Sequence, residues 1–192
     1  MELSPRLYHW FVRPRFFTKL YIINVLQTGF DFSNMRVLDF GCGIGTNSSI
    51  FNPNYYFGID PDCKRVEYAK RLYPTYQFDV IDGKELPLNN HSLDYIVIVA
   101  VLHHISSEDI SNYLQQFKQA LKPYGRILVI EPCLSKSSRL SNLLMNFFDN
   151  GPYIRDEKGY LELFEINHYK TVILKQFKRF FYNEVFFSAT LK

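Results

Sequence analysis

The sequence predicts a protein of the α/β class, with one mostly parallel sheet covered on both faces by helices. Strand-length apolar segments alternate with segments whose apolar residues recur at helical spacing, which is typical of β-α-β units. Residues 93–100, LDYIVIVA, are continuously apolar after the second position, as expected for a strand buried on both faces. A chain of 192 residues with 47% hydrophobic residues can bury one sizeable core. We therefore expect a single domain over residues 1–192.

The predicted elements follow each other in a regular order. A short helix is expected from Asn47, where Asn52-Pro53 cuts it short, and longer helices over residues 62–72 and 107–121. Pro123 and Gly125 stop the last of these helices. Five strands separate the helices, at residues 35–40, 56–60, 76–80, 93–100 and 126–131.

The two ends of the chain carry less regular patterns. Residues 1–30 form an aromatic and basic N-terminal extension, and residues 133–165 form an insertion with a short helix at 155–164. Within the insertion, residues 135–150 look irregular and partly helical. Residues 166–192 hold a closing pair of strands, 171–179 and 184–191, joined across Tyr182 and Asn183.

Composition and charge exclude several classes of protein. A net charge of +3 is too small to indicate a nucleic-acid or anionic-membrane partner by itself. The longest apolar run, residues 95–102, is far shorter than the roughly 20 residues that span a bilayer. The odd count of three cysteines, with no signal peptide, indicates reduced thiols in a cytoplasmic protein.

A glycine-rich loop after the first strand carries the clearest functional signal. Residues 37–47 read VLDFGCGIGTN, an apolar strand that ends in an acid and continues into Gly41, Gly43 and Gly45. Glycines let the backbone turn sharply and let a ligand approach closely, and the helix start that follows offers unpaired N–H donors. The dinucleotide fingerprint G-x-G-x-x-G is not met, because Thr46 occupies its sixth position. The loop therefore predicts a nucleotide-like ligand that is not a dinucleotide.

Two acids indicate which ligand this is. Asp39 lies at the mouth of the first strand, where its carboxylate repels a pyrophosphate and attracts an ammonium or sulfonium group. Asp60 ends the second strand, at the spacing where an acid binds the two hydroxyls of a ribose. A ribose with a positive charge and no phosphates describes S-adenosylmethionine, which we expect as the cofactor.

The chain resembles class I S-adenosylmethionine-dependent methyltransferases, and is similar to the branch that includes the ubiquinone and menaquinone-biosynthesis C-methyltransferases. The resemblance covers residues 35–132 and rests on VLDFGCGIGTN, YFGIDPD, FDVIDGKELPL, LDYIVIVAVLHHI and LKPYGRILVIEP, in family order. It implies a Rossmann-like seven-stranded sheet, mostly parallel, with an antiparallel closing strand. It also implies an enzyme whose residues 35–132 form the cofactor-binding core.

The resemblance implies a role for each residue at the methionine and ribose of the cofactor. Asp39 would face the methionine ammonium, directly or through water. Gly41 and Gly43 would form the floor beneath the methionine and ribose, and Asp60 would bind the ribose hydroxyls.

The remaining cofactor contacts are implied in the same way. The Asp82 carboxylate would accept from the adenine amino group, and the Gly83 N–H would reach a ring nitrogen. Main-chain atoms of Val99 and Ala100, at the end of the fourth strand, would line the methionine end.

Few residues are diagnostic of methyl transfer, because the cofactor supplies the leaving group and the protein must chiefly align the acceptor and exclude water. His103 and His104 follow the fourth strand, at the edge where open α/β sheets bind ligands, and are candidate general bases. The resemblance favours His104, and the alternative is a purely structural histidine. Glu131 ends the fifth strand and would orient the acceptor, accept a proton or make a structural hydrogen bond. Cys42 is expected to be a packing residue rather than a nucleophile.

We expect a small apolar or aromatic acceptor, methylated at carbon or oxygen, and no nucleic-acid partner. Two alternatives stay open: a module that binds the cofactor without turnover, and an RNA or protein methyltransferase. No Asn/Asp-Pro-Pro-Tyr sequence follows the fourth strand, which by resemblance argues against amino groups of adenine or glutamine. Cysteines and histidines show no metal-ligand spacing, so no metal is expected.

Two segments are candidate lids over the acceptor. The N-terminal stretch interleaves aromatic and basic residues, and its alternatives are a membrane-surface helix, a platform for single-stranded RNA and an ordinary packing helix. Residues 142–153 are the second candidate lid, with a dimer contact as the alternative. The rings and cations of the N-terminal stretch are Tyr8, Trp10, Phe11, Phe16, Phe17 and Tyr21, with Arg6, Arg13, Arg15 and Lys19.

Overall fold

A computed structural model describes the chain over residues 22–81, 85–135, 138–148, 151–179 and 182–192. The chain divides into two compact units, and the division falls after residue 82. The single domain expected from the sequence stays a prediction. Within the described residues, no helix has both the length and the apolar character needed to cross a bilayer.

The first unit is built on three parallel strands. β1 is Val37–Phe40, β2 is Tyr56–Asp60 and β3 is Gln77–Val80, in the spatial order β3-β2-β1. All four residues of β1 are buried, as are four of the five in β2. The strands predicted at 35–40, 56–60 and 76–80 are therefore confirmed to within two residues.

The longer helix of the first unit begins where the sequence supplies a cap. Helix α1 is Asn24–Gln27 and α2 is Cys63–Leu72. The Asp62 side chain caps α2 by accepting from the N–H groups of Lys64 and Arg65. The apolar face of α2 buries Val66 and Ala69, as its helical spacing predicts.

The short helix expected from Asn47 is reduced to a single 3-10 turn, Ser48–Ile50. A second 3-10 turn, Pro53–Tyr55, follows directly, and the Asn52 side chain accepts from the N–H of Asn54 at its start. Proline has no N–H to donate to a preceding turn, so a longer helix cannot continue through Pro53.

The second unit contains four strands. β4 is Leu93–Val99, β5 is Leu121–Pro132, β6 is Tyr169–Arg179 and β7 is Tyr182–Leu191, in the order β4-β5-β7-β6. β4 and β5 are parallel, whereas β7 is antiparallel to both β5 and β6. The predicted antiparallel closing strand is therefore β7.

Three helices accompany these strands: α3 is Ser107–Ala120, α4 is Arg139–Phe148 and α5 is Glu157–Ile166. The Ser106 hydroxyl caps α3 by accepting from the N–H of Asp109. The apolar residues that recur at helical spacing in α3 include Ile110, Leu114 and Phe117, which are buried. Most of the segment expected to be irregular and partly helical, residues 135–150, is helix α4.

The start of β5 differs from the prediction. The strand begins at Leu121 rather than at residue 126, so Pro123 and Gly125 lie inside it. The pairing of β5 with β4 is irregular between Leu93 and Tyr95. A β-bulge of this kind accommodates Pro123 and Gly125 within the strand. A Cβ on Gly125 would lie 2.9 Å from the carbonyl oxygen of Leu93, so glycine is required where the two backbones approach.

The closing strands are longer than predicted. β6 begins at Tyr169 rather than at residue 171, and β7 begins at Tyr182 rather than at residue 184. Tyr182 and Asn183, which were expected to join the strands, belong to β7. The link falls on residues 180–181, outside the described residues.

Candidate functional site

The glycine loop of the first unit has the backbone that only glycine adopts easily. Gly41, Gly43 and Gly45 have φ angles of 76°, 55° and 75°. The N–H groups of Gly41 and Cys42 both donate to the Ile59 carbonyl oxygen, at 2.8 and 3.0 Å. These two hydrogen bonds hold the glycine loop against the end of β2.

Gly45 is required for packing as well as for its φ angle. A Cβ at this position would lie 2.8 Å from the Phe78 ring. At Gly43, in contrast, the nearest atom to an added Cβ is Asp60 Oδ2, at 4.0 Å. The surface beside Gly43 is therefore open to a close approach, as expected for a cofactor floor.

Asp60 and the glycine loop are brought together as the sequence predicts. Asp60 Oδ2 accepts from the N–H of Gly43 at 2.8 Å, and Oδ1 accepts from the N–H of Asp62 at 3.0 Å. Burial raises the pKa of the Asp60 carboxyl, while these two donors act in the opposite direction. The two bonds use two of about four acceptor positions on a carboxylate, which leaves capacity for a ribose diol. The residues present therefore fit the ribose of S-adenosylmethionine.

Asp39 is almost completely buried, at 1% exposure, and its Oδ2 accepts from the Tyr56 hydroxyl at 2.9 Å. Burial and the negative charge of Asp39 raise the pKa of Tyr56 well above its usual range, so the phenol stays protonated and donates. The sequence analysis missed Tyr56. An apolar aromatic residue at the start of a strand is ordinarily assigned to packing alone.

Val99 ends β4, and Ala100, which was predicted to belong to this strand, follows it in an unusual conformation. Val99 is buried, and Ala100 has a φ angle of 55°, which is uncommon for a residue other than glycine. The Ala100 N–H donates to the Ile130 carbonyl oxygen at 2.8 Å and holds this conformation. The remaining predicted cofactor contacts, Asp82 and Gly83, lie outside the described residues.

His103, His104 and Glu131 occupy different environments in the second unit. Residues Leu102–His104 form a 3-10 turn, which we call the histidine turn. Glu131, at 0% exposure, accepts from the Nδ1 atom of His103 at 2.7 Å, and His103 is itself only 3% exposed. His104 is exposed, with its ring centroid 4.0 Å from that of His103. The catalytic roles of these three residues stay predictions.

The Glu131 carboxylate also binds the backbone of the turn. Its Oε1 accepts from the N–H groups of Val101 and Leu102 at 2.7 and 2.8 Å, and its Oε2 accepts from the N–H of His103 at 3.3 Å. All the groups around it are donors, so an ionised carboxylate is the matching partner. Glu131 therefore shapes the histidine turn.

Arg155 holds the same turn from the other side. Its Nη1 donates to the carbonyl oxygens of Leu102 and Tyr153, and its Nη2 donates to the Ile105 carbonyl and the Ser107 hydroxyl, all at 2.9 to 3.0 Å. The Tyr153 N–H in turn donates to the His103 carbonyl at 2.9 Å. Sequence reasoning missed Arg155, because nothing in its local pattern indicates a contact with residues about 50 positions away.

A cavity of about 480 Å³ lies beyond the end of β5, within the second unit. Its wall includes Cys133, Asn183 and Val185, with Asp156 and Glu157 at the start of α5. Burial raises the pKa of the Cys133 thiol to about 11. The Nδ2 atom of Asn183 is buried and has no hydrogen-bond partner within the described chain.

A methyltransferase domain family matches residues 15–176, which is most of the chain. The chain belongs to this methyltransferase family. The predicted methyltransferase class is therefore confirmed. The expected cofactor, S-adenosylmethionine, is the one bound in a solved methyltransferase of the same fold. The narrower branch of ubiquinone and menaquinone C-methyltransferases belongs to the proposals below.

Solved methyltransferases share the fold. An S-adenosylmethionine-dependent methyltransferase from Thermotoga maritima aligns with a TM-score of 0.77 and 15% identity, covering 98% of each chain. Magnesium protoporphyrin IX methyltransferase from Synechocystis, with bound S-adenosylhomocysteine, has a TM-score of 0.71 and 16% identity, covering 95% of this chain and 88% of that one. The predicted Rossmann-like, seven-stranded, mostly parallel fold is therefore confirmed.

Curated relatives include the tRNA (carboxymethyluridine(34)-5-O)-methyltransferase of Schizosaccharomyces pombe. It is 34% identical over 119 residues, which are 60% of this chain and 48% of the relative. The chain described by the present sequence covers between 26% and 51% of the length of the first curated relatives.

Two further predictions are the N-terminal lid and the absence of a metal site. The aromatic and basic residues of the candidate N-terminal lid, Tyr8 to Tyr21, lie outside the described residues. Among the residues that are described, no group of three or more His, Cys, Asp and Glu side chains is arranged to hold a metal ion.

Proposed function

We propose that this methyltransferase methylates a small acceptor at oxygen or carbon, and that the acceptor binds in the cavity beyond β5. The cavity carries the proposal. Its volume of about 480 Å³ lies within the roughly 300–1,000 Å³ of small-molecule sites. Three apolar wall residues, Leu134, Phe177 and Val185, suit an aromatic ring, and apart from Cys133 the rest of the wall is polar or charged. The resemblance to quinone-biosynthesis C-methyltransferases makes phenols and quinols the first acceptors to test.

The cavity adjoins the histidine turn through two segments of chain. Cys133 follows Glu131 by two residues, and Asp156 follows Arg155 directly. Both Glu131 and Arg155 bind the histidine turn. An acceptor in the cavity would therefore lie against the same segments that hold His103 and His104.

S-adenosylmethionine supplies a methyl group on a sulfonium, which is already activated for displacement. The chain's own residues bind, orient and shield the reactants. Asp60 binds the ribose hydroxyls, Asp39 faces the ammonium, and main-chain atoms of Ala100 line the methionine end. Gly41 and Gly43 leave room for the cofactor, and Asp82 and Gly83 are the proposed adenine contacts.

His104 is the proposed general base, because its side chain is exposed and the resemblance places the second histidine near the acceptor. The Glu131 carboxylate accepts hydrogen bonds from three backbone N–H groups and from the His103 ring. Removal of an acceptor proton by Glu131 would break this arrangement. The His104 ring is exposed, and imidazole is the side-chain group that most often acts as a general base.

Within the cavity, Asn183 is the proposed acceptor contact. The Asp156 carboxylate caps α5 by accepting from the Gly159 N–H at 2.8 Å, and the Glu157 carboxylate accepts from the Gln176 amide. Asn183 Nδ2 is a buried donor without a partner in the described chain. Such a donor costs stability unless a ligand oxygen or a water accepts from it.

The test measures methyl transfer from labelled S-adenosylmethionine to phenols, catechols and quinols, with Asn183→Leu and the exposed control Asn112→Leu. We expect labelled product, with Asn183→Leu raising KM for the acceptor about tenfold while the cofactor affinity is unchanged. The variant should also be more thermostable, because an unpaired buried donor is removed. Equal acceptor KM in both variants would exclude the cavity as the acceptor site.

A tRNA acceptor is the second candidate, favoured by the Schizosaccharomyces pombe relative, whose name specifies transfer to a tRNA. Labelled methyl incorporation into total tRNA, measured beside the small-molecule panel, separates the two candidates. If tRNA is the acceptor, binding should weaken steeply as salt rises, because phosphate contacts release counterions.

A further inference from the structure

The buried contact between Tyr56 and Asp39 joins an aromatic cluster to the predicted cofactor site of the first unit. The hydroxyl lies 2.9 Å from Asp39 Oδ2, and Tyr56 is 2% exposed. The Tyr56 ring centroid lies 5.4 to 5.5 Å from those of Phe51, Tyr76 and Phe78. Three rings pack against the phenol, which restricts the position of its hydroxyl.

Gly58 creates the path that the phenol follows. In the parallel pairing of β1 with β2, Val37 is opposite Tyr56 and Asp39 is opposite Gly58. The Tyr56 side chain therefore has to run along the strand, past residue 58, to reach Asp39. A Cβ at Gly58 would lie 2.7 Å from the Tyr56 hydroxyl oxygen and 2.8 Å from the Phe78 ring. Only glycine leaves this path open.

We propose that Tyr56 is a positioning residue for the amino-acid end of the cofactor, because its hydroxyl orients the Asp39 carboxylate that faces the methionine ammonium. The inference rests on the proposed ammonium contact of Asp39. A carboxylate that is free to rotate presents its charge less consistently than one held by a buried donor. Tyr56 thus acts through Asp39 and does not need to touch the cofactor.

Two ligands separate this role from a structural one. S-adenosylhomocysteine carries the amino-acid tail, whereas 5′-deoxy-5′-methylthioadenosine has the same nucleoside and thioether without the tail. Calorimetry with both ligands on Tyr56→Phe reports the tail contact alone. Tyr76→Phe is the matched control, because it removes a hydroxyl from the same cluster that donates to the Phe51 carbonyl instead.

We expect Tyr56→Phe to weaken binding of S-adenosylhomocysteine about tenfold and to leave binding of methylthioadenosine unchanged. In turnover, KM for S-adenosylmethionine should rise with little change in kcat. Tyr76→Phe should change neither affinity. Thermal unfolding of both variants verifies that they fold.

Asp39→Asn distinguishes the failure of this inference from failure of the ammonium contact. If Asp39→Asn weakens only S-adenosylhomocysteine while Tyr56→Phe weakens neither ligand, or both equally, the positioning role is overturned and the ammonium contact stands. If Asp39→Asn weakens both ligands equally, the ammonium contact is wrong and the inference about Tyr56 is overturned with it.

Discussion

The Nδ1 atom of His103 lies 2.7 Å from Oε2 of Glu131, and both side chains are buried. Because the partner is a carboxylate, Nδ1 carries the proton and donates. This pair and the backbone N–H groups bound to the same carboxylate fix the turn that presents His104.

Replacement of Glu131 by glutamine should destabilise the protein strongly. The amide nitrogen would face donors that now bind a carboxylate oxygen, so we expect the free energy of unfolding to fall by about 2 to 3 kcal/mol. Urea denaturation measures this change. The control is Glu162→Gln, whose exposed carboxylate lies 3.2 Å from Lys158 and should contribute less than about 0.5 kcal/mol. A similarly small loss of stability for Glu131→Gln would contradict the conclusion that the Glu131 carboxylate stabilises the histidine turn.

Arg155→Lys should lower kcat while the affinity for S-adenosylmethionine is retained. A lysine ammonium cannot reach the acceptors on both sides of the planar guanidinium, so the histidine turn would shift. Displacement of about 1 Å can cost on the order of 100-fold in rate, and we expect at least a tenfold loss in steady-state assays. Arg65→Lys, which alters an ion pair with Asp62 that does not involve the histidine turn, is the control and should leave kcat unchanged. Equal kcat values for both variants would show that the hydrogen bonds from Arg155 to the histidine turn do not affect the reaction.

Ala100 should tolerate glycine but not valine. Its φ angle of 55° costs an L-residue roughly 1–2 kcal/mol and costs glycine nothing sterically. A β-branched side chain increases this strain, so Ala100→Val should lower the free energy of unfolding by about 1–2 kcal/mol. Ala100→Gly should change it little, because relief of strain offsets the greater entropy of the unfolded chain. Thermal or urea unfolding of both variants tests the prediction, which fails if valine is accepted as well as glycine.

Thiol labelling should distinguish the three cysteines. Cys63 is exposed, whereas Cys42 and Cys133 are buried. Burial, with the nearby Asp39 and Asp60 carboxylates, raises the pKa of Cys42, and burial raises that of Cys133 to about 11. Since the thiolate is the reactive form, only Cys63 should react with iodoacetamide at pH 8. Cys133 should become reactive only as the pH approaches 11.

Peptide mass spectrometry locates the modified thiols. In Cys63→Ser the native protein should take up no label at pH 8, and in urea the two remaining thiols should both react. Rapid labelling of native Cys42 would instead support a nucleophilic cysteine in the glycine loop.

Sequence patterns were sufficient for the elements that depend on neighbours along the chain. The glycines at 41, 43 and 45 and the alternation of strands and helices are local signals, since they follow from backbone freedom and periodicity. They predicted the fold class and a nucleotide-like ligand, Asp39 and Asp60 indicated the cofactor, and the resemblance of the motifs implied the methyltransferase family. Asp60 was predicted correctly to end β2 beside the glycine loop because parallel strands end at the same edge of a sheet.

Boundaries and long-range contacts were decided by the tertiary structure. Pro123 and Gly125 read as a helix stop followed by a turn, but pairing with β4 extends β5 back to Leu121. The Tyr56 hydroxyl reaches Asp39 only because the residue paired with Asp39 is Gly58. Arg155 contacts the histidine turn because the fold brings together residues about 50 positions apart. Local propensity determines which segments form strands and helices. Which side chains share a hydrogen bond depends on distances between segments, and these are set only when the chain has folded.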